Sequence, residues 1–380
     1  MELHNSSKCL SLMSQKLMSK DSPTYGLLSL FLKNEKVYLS VSNEKVSCSI
    51  PVDVKHNFIG ELEFMLDGRL VSRVSQKPKS EDISLECIFN VENKPSSLVI
   101  HGNLSTEVSI PLHPQGNKVK HKRLSSSHLL VNKELLLLAM KSTVFAGSDV
   151  DSERPYYYAL LKFDKHSMSF TCGNGSFFAS LECKALSDSS ESDFCLLPIP
   201  VVLSLIPILE ECNDELIKIS FDDNSVVMQS DCFRFSCSIS RKCVSWPDAS
   251  SIMNRKSGLL YNVSYLNIKE IASSIDMASE GYDSKNNTLK CQMTLSKDKL
   301  SVKVDGCCKI NSSVNIESEN ETEKTLTIDA ACIAASIKSK AIGDFVEINI
   351  DDSPFKGRPS PVVISSFNNN CSYKTFFAVV

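Results

Sequence analysis

Apolar positions recur along this chain with two different periods. Near Ser6–Ser19, Leu66–Gln76, Ser127–Phe145, Pro198–Cys212, Ser264–Ser279 and Asp329–Lys340 they fall three or four positions apart, which predicts six amphipathic helices. Between them apolar and polar residues alternate in short runs broken by Gly, Asn, Asp and Ser, the signature of antiparallel strands with one buried face. Asn262 or Ser264 is suited to cap the fifth helix and Asp329 the sixth, while Gly343 follows the last. Pro198 and Pro200 suit the first turn of the fourth helix, whereas Pro207 predicts a kink or an early end.

The pattern repeats. Ile217-Lys218-Ile219-Ser220-Phe221-Asp222-Asp223-Asn224 is echoed by Val346-Glu347-Ile348-Asn349-Ile350-Asp351-Asp352-Ser353, about 130 residues later. A second echo, an apolar strand, a polar turn with lysine and an alternating strand, occurs three times: Tyr25–Ser42, Tyr156–Cys172 and Thr288–Val304. Three units of two helices each follow, with boundaries near the basic stretch Lys118–Arg123 and near Asn254–Ser257, hence domains 1–121, 122–254 and 255–380. Helices segregated on antiparallel sheets make the fold class α+β.

Composition narrows the chemistry. Of 380 residues, 42% are hydrophobic and 23% charged, the balance of an ordinary folded protein. The first 20 residues lack the apolar run of a signal peptide, and no segment is long and apolar enough to span a bilayer, so a cytoplasmic protein without membrane contact is expected. Fifteen cysteines include no Cys-x-x-Cys pair, so we read them as reduced, buried small hydrophobes and expect neither metal nor cofactor. Seven scattered histidines, no Gly-x-Ser-x-Gly and no phosphate loop argue against an enzyme. Gly173-Asn174-Gly175 is read as a type I′ hairpin turn and the Asp222-Asp223 and Asp351-Asp352 pairs as turn punctuation. The least implausible alternative is a hydrolase with Cys172 as nucleophile. A net charge of −4 requires any nucleic-acid contact to rest on locally segregated cations.

Pro155-Tyr156-Tyr157-Tyr158-Ala159-Leu160-Leu161-Lys162-Phe163, then Phe170-Thr171-Cys172-Gly173-Asn174-Gly175-Ser176-Phe177-Phe178-Ala179, resembles the central domain of bacterial beta sliding clamps, the ring subunits of DNA polymerase III. Phe233-Arg234-Phe235-Ser236-Cys237-Ser238-Ile239, followed by Trp246-Pro247-Asp248, is similar to the strand and the Phe-Pro-Asp-Tyr boundary that precede that family's third domain. The order of elements matches over essentially the whole chain, the motifs over roughly half of it.

The resemblance implies three clamp domains in a half-ring that closes head to tail with a second copy around duplex DNA, read without regard to sequence, and that docks polymerase and clamp-loader peptides. Lumen cations would be Lys8, Lys16 and Lys20 on the first helix, Arg69, Arg73 and Lys77 on the second, Lys133 and Lys141 on the third, and Lys338 and Lys340 on the sixth. Tyr156 and Tyr157 match the family's DNA-contacting tyrosine pair. Its peptide pocket carries over to Tyr158, Gly173, Gly175, Ser176, Phe177, Phe178, Pro247, Ser251, Ile252, Phe376, Phe377, Ala378, Val379 and Val380. The family's Asp-Gly-His-Arg-Leu reads Asn174-Gly175-Ser176-Phe177-Phe178 here, and its Met-Pro-Met-Arg-Leu ending reads Phe376-Phe377-Ala378-Val379-Val380, so only the apolar character persists. Glu210 and Glu211 on the fourth helix, and Asp276 and Glu280 against Lys269 on the fifth, depart from a positive lumen and leave open a clamp-fold binding hub or inhibitor that no longer encircles DNA.

Overall fold

A computed structural model of the chain describes residues 3–377 outside 18–25, 34, 43–45, 57–60, 75–83, 92–94, 103–105, 114–123, 125–127, 148–154, 165, 176, 185–192, 223–224, 239–245, 247–252, 254–257, 280–288, 307, 340–341, 351–360 and 369–370. The first third runs α1 (Leu3–Leu17), β1 (Leu27–Lys33), β2 (Lys36–Ser42), β3 (Val46–Val52), β4 (Lys55–His56), β5 (Leu62–Asp67), α2 (Gly68–Val74), β6 (Ser84–Phe89), β7 (Pro95–Gly102) and β8 (Thr106–Pro111). The middle runs β9 (Leu129–Asn132), α3 (Lys133–Thr143), β10 (Tyr158–Asp164), β11 (Ser167–Gly173), β12 (Phe177–Lys184), β13 (Asp193–Pro198), α4 (Ile199–Glu211), β14 (Leu216–Asp222), β15 (Ser225–Gln229) and β16 (Arg234–Ser238). The last runs β17 (Leu259–Ser264), α5 (Tyr265–Ser279), β18 (Lys290–Leu295), β19 (Lys299–Asp305), β20 (Lys309–Asn315), β21 (Lys324–Asp329), α6 (Ala330–Ile337), β22 (Phe345–Ile350), β23 (Val362–Asn368) and β24 (Cys371–Phe377). Helix, four strands, helix, three strands therefore occurs three times, with the two-residue β4 added in the first copy, and the three lysine-bearing echoes are the hairpins β1–β2, β10–β11 and β18–β19.

Contacts divide the chain into two compact units. The first, Met1–Leu137 with Pro200–Arg241, holds an eight-stranded sheet in the order β5-β1-β2-β3-β16-β15-β14-β9 and a four-stranded sheet β4-β6-β7-β8. The helices α1 and α2 pack on each other, and α1 lies against β1, β2 and β3. Small buried side chains, Ser6, Ser7, Ser11 and Ser14, let α1 sit close, with Leu10 and Met13 fully covered. The second unit, Leu138–Ile199 with Lys242–Val380, holds β13-β10-β11-β12-β24-β23-β22-β17 and β20-β19-β18-β21, with α5 and α6 packed together. Each large sheet takes four strands from one third and four from the next.

Local chemistry explains why helices start where they do. In α2, α3, α5 and α6 the residue that ends the preceding strand supplies the cap. Asp67 Oδ1 accepts from the Arg69 and Leu70 amides at 2.8 and 3.3 Å, and Asn132 Oδ1 from Leu135 at 3.1 Å. Ser264 Oγ accepts from Asn267 at 3.4 Å, and Asp329 Oδ1 from Ala331 and Cys332 at 2.9 and 3.3 Å. Asn262, the other expected cap of α5, lies inside β17.

Two local expectations are corrected. The helix α4 continues through Pro207 to Glu211, because Val201, Val202, Leu205, Ile208 and Leu209 are all buried and their packing outweighs the one backbone bond that proline removes. The β11–β12 turn is not type I′ with Asn174 and Gly175 at its centre. The Asn174 amide donates to the Phe177 carbonyl at 2.9 Å and Asn174 Oδ1 accepts from the Phe177 amide at 3.0 Å, so Asn174 is the first corner, and Gly175, at φ +93, supplies the left-handed step.

Candidate functional site

In the second unit the sheet is continuous across β12 and β24, where a middle-third strand pairs with the C-terminal strand. Phe178 lies opposite Phe376 and Phe177 opposite Phe377. Strand alternation then separates these four rings onto two faces. On one, Phe178, Phe376, Val363 and Met253 form a buried cluster against which Tyr156 packs half-exposed. The Tyr156 and Phe178 rings meet edge to face at 6.1 Å, and Phe178 and Phe376 are tilted at 6.1 Å. On the other, Phe177 lies 4.9 Å from Phe377 and 5.4 Å from Phe145.

Two glycines make the first face possible. A Cβ on Gly173 would stand 2.3 Å from the Phe178 ring, so the ring lies directly over bare backbone, and one on Gly175 would stand 3.1 Å from the Tyr156 ring. Only Tyr156 of this group reaches solvent, with the polar Asn174–Gly175 turn exposed beside it, while Phe178, Phe376, Val363 and Met253 are buried beneath. The Tyr156 ring, backed by this packed cluster, is therefore the aromatic contact that this face presents to solvent. Cys172 behind it is fully buried, and burial pushes its thiol up to about 12 despite a contact with the Thr143 hydroxyl, so it stays protonated and cannot serve as a nucleophile.

Of the residues expected in a peptide pocket, Gly173, Gly175, Phe178 and Phe376 are thus brought together. Phe177 and Phe377 share the seam but point to the opposite face, and Tyr158 opens β10 opposite Pro198, its ring against Tyr157 at 5.3 Å. Ser176, Pro247, Ser251, Ile252, Ala378, Val379 and Val380 lie outside the described residues. Met253 and Val363 were not singled out by sequence. Val363 carries only the alternation of its strand, and nothing local marks Met253 as its neighbour.

The cations have separate fates. Lys8 on α1 and Arg69 and Arg73 on α2 are exposed on the paired helices of the first unit, beside the exposed Leu12 and Leu70. Lys133, its side chain only 12% exposed, donates to the Cys212 carbonyl at 2.9 Å and pairs with Glu134 at 2.7 Å, so its charge is largely neutralised. Lys338 pairs with Asp276, and Lys141 is exposed at the end of α3. Lys16 belongs to α1, but its side chain lies outside the described residues, as do Lys20, Lys77, Lys340 and the stretch Lys118–Arg123. Tyr156 and Tyr157 form a single 3-10 turn with Pro155 ahead of β10, not the beginning of the strand.

None of the thirteen described cysteines is disulfide-bonded, and ten are buried. No helix among the described residues is long and apolar enough to cross a membrane.

No family model and no curated protein sequence matches the chain. Solved structures do. DNA polymerase III subunit beta from Pseudomonas aeruginosa aligns with a TM-score of 0.79 at 13% identity, over 100% of this chain and 98% of that one. This chain has the fold of a bacterial beta sliding clamp. The beta subunit from Thermotoga maritima gives 0.79 at 15% identity over 100% and 98%, and the Helicobacter pylori beta clamp bound to a DNA ligase peptide gives 0.74 at 17% over 100% and 97%. The clamp fold thus spans the whole chain, while the identity is too low for sequence comparison to detect it.

Proposed function

We propose that this protein is a DNA sliding clamp, a non-catalytic processivity factor of three clamp domains, 1–121, 122–254 and 255–380, that encircles duplex DNA as a head-to-tail homodimer. The reading rests on one observation: the clamp fold accounts for the entire chain and for nearly the entire length of its structural neighbours. Two features support it. The sheets β4-β6-β7-β8 and β20-β19-β18-β21 end in β8 and β20, neither of which has a further strand partner among the described residues. Such edges invite pairing with a second copy, and first-to-third-domain pairing would close both at once. The exposed Lys8, Arg69 and Arg73 supply positive charge on one helix pair, and attraction of phosphates in this way is independent of sequence, as sliding requires.

Short peptides from a replicative polymerase and a clamp loader would then dock at Tyr156, over the buried Phe178–Phe376 cluster, as the H. pylori neighbour is bound to a ligase peptide. The protein would act in the cytoplasm, without cofactor.

The deciding experiment is loading onto nicked circular DNA followed by linearisation. A ring stays on the circle and slides off the cut ends, whereas a protein gripping the surface is indifferent to the cut. Retention that does not change on linearisation refutes encirclement. A second reading, a clamp-fold binding hub, is favoured by Lys133 and Lys338 being neutralised by Glu134 and Asp276. A monomeric mass in gel filtration and no DNA in a pull-down would support it.

A further inference from the structure

At the end of α4 the chain turns through Cys212, Asn213 and Asp214 before entering β14, and one hairpin later a tight turn, Ser230 to Phe233, brings Cys232 back beside it. The donor atoms of Cys212, Asp214 and Cys232 all lie within 4.8 Å of one another. Cys212 Sγ is 3.8 Å from Asp214 Oδ2 and 3.5 Å from Ser230 Oγ. The carboxylate is held in place: Asp214 Oδ2 accepts from the Cys232 amide at 2.9 Å, and Ser230 Oγ accepts from the same amide at 3.2 Å. Cys212 is buried, while Asp214 and Cys232 reach partway to solvent.

We propose that Cys212, Asp214 and Cys232 form a binding site for one divalent, borderline-soft metal ion of the zinc class. Bond lengths of about 2.3 Å to sulfur and 2.0–2.2 Å to oxygen set tetrahedral ligand spacings near 3.5–3.8 Å, so modest side-chain rotation closes the set around an ion. Two sulfurs exclude calcium and magnesium, which take oxygen ligands. The half-exposed side leaves the fourth position to water. Binding replaces the two thiol protons with the ion and releases them to solvent, with no redox step. Ser230 Oγ beside the Cys212 sulfur would orient it from outside the coordination sphere. The consequence is mechanical: the ion would clip the end of α4 to the β15–β16 turn. Cysteine spacing predicted no such site, because the ligands are joined by sheet pairing and not by a Cys-x-x-Cys turn.

The test uses the full chain, reduced and freed of metal by chelation, titrated with Co²⁺ as a spectroscopic probe and then with Zn²⁺. The expected result is one equivalent of cobalt with a thiolate-to-cobalt charge-transfer band, displaced by zinc, and a zinc-dependent rise in the unfolding temperature. Cys212→Ser and Cys232→Ser should abolish the band, Asp214→Asn should weaken binding at least about tenfold, and Cys308→Ser, at an exposed thiol, should leave it unchanged. Should the serine variants fail to fold, zinc must still slow alkylation of Cys232 in the unmodified chain. No band, a band that survives Cys212→Ser, absence of that protection, or a Cys212–Cys232 disulfide whose reduction yields no metal binding would each overturn the proposal.

Discussion

Gly173→Ala tests whether the aromatic face is as tightly built as its geometry indicates. Gly173 on β11 pairs directly with Phe178 on β12, and the added methyl would lie 2.3, 2.5 and 3.0 Å from three ring carbons. Carbon atoms rest at about 3.5–4.0 Å, so the ring has to move by more than about 1 Å. It has little room, being 4% exposed and enclosed by Met253, Val363 and Phe376. Overpacking of this kind costs about 1–3 kcal/mol, while replacing a strand glycine regains about 0.5–1 kcal/mol of backbone entropy. The net expectation is a loss of about 1–2 kcal/mol, with Phe178 displaced towards Tyr156. Trp246 is the single tryptophan and belongs to the same unit, so urea unfolding followed by its fluorescence reads the right part of the molecule. Near-ultraviolet circular dichroism of the native state reports the ring shift independently. An unchanged or higher urea midpoint with an unaltered aromatic spectrum would refute the argument.

Other perturbations have equally definite signs. Burial pushes the Cys172 and Cys291 thiols up to about 12, so below the ordinary thiol value their contribution is intact, and it is lost as pH rises towards the folded value because the unfolded chain ionises first. Cys172→Ala should therefore flatten the fall in urea midpoint between roughly pH 9 and pH 11, where each such thiol forfeits up to about 1.4 kcal/mol per pH unit; identical slopes would contradict this. Asp329→Ala removes the acceptor of two amides at the start of α6 and should cost about 1 kcal/mol in urea unfolding, with Asn at the same position largely restoring it. Arg69→Gln with Arg73→Gln should weaken retention on DNA and reduce the slope of log affinity against log salt by about 2, whereas an unchanged slope would remove these residues from the DNA face.

Much of the fold was legible locally. Six helices, their caps at Ser264 and Asp329, and three lysine-bearing hairpins follow from periodicity and turn chemistry acting over a few residues. The helix did not end early at Pro207, because propensity cannot anticipate five buried apolar neighbours on the same helix. The aromatic face was legible as a run of apolar residues but not as a geometry. Phe177 and Phe178 look equivalent in sequence, and only the register with Phe377 and Phe376 shows that one faces Phe145 and the other Tyr156. Lys133 read as a surface cation until its ammonium was found on the Cys212 carbonyl.

The amino-acid order by itself determined that six helices alternate with short strands in a set that recurs three times, because period and capping are short-range properties, but it did not separate β9 (Leu129–Asn132) from the third helix. Tertiary structure decided which strands meet across the thirds, β3 with β16 and β12 with β24. It also decided that two cysteines and an aspartate on separate turns converge. Register between distant strands is set by the burial of whole faces at once, and no local run of residues carries that information.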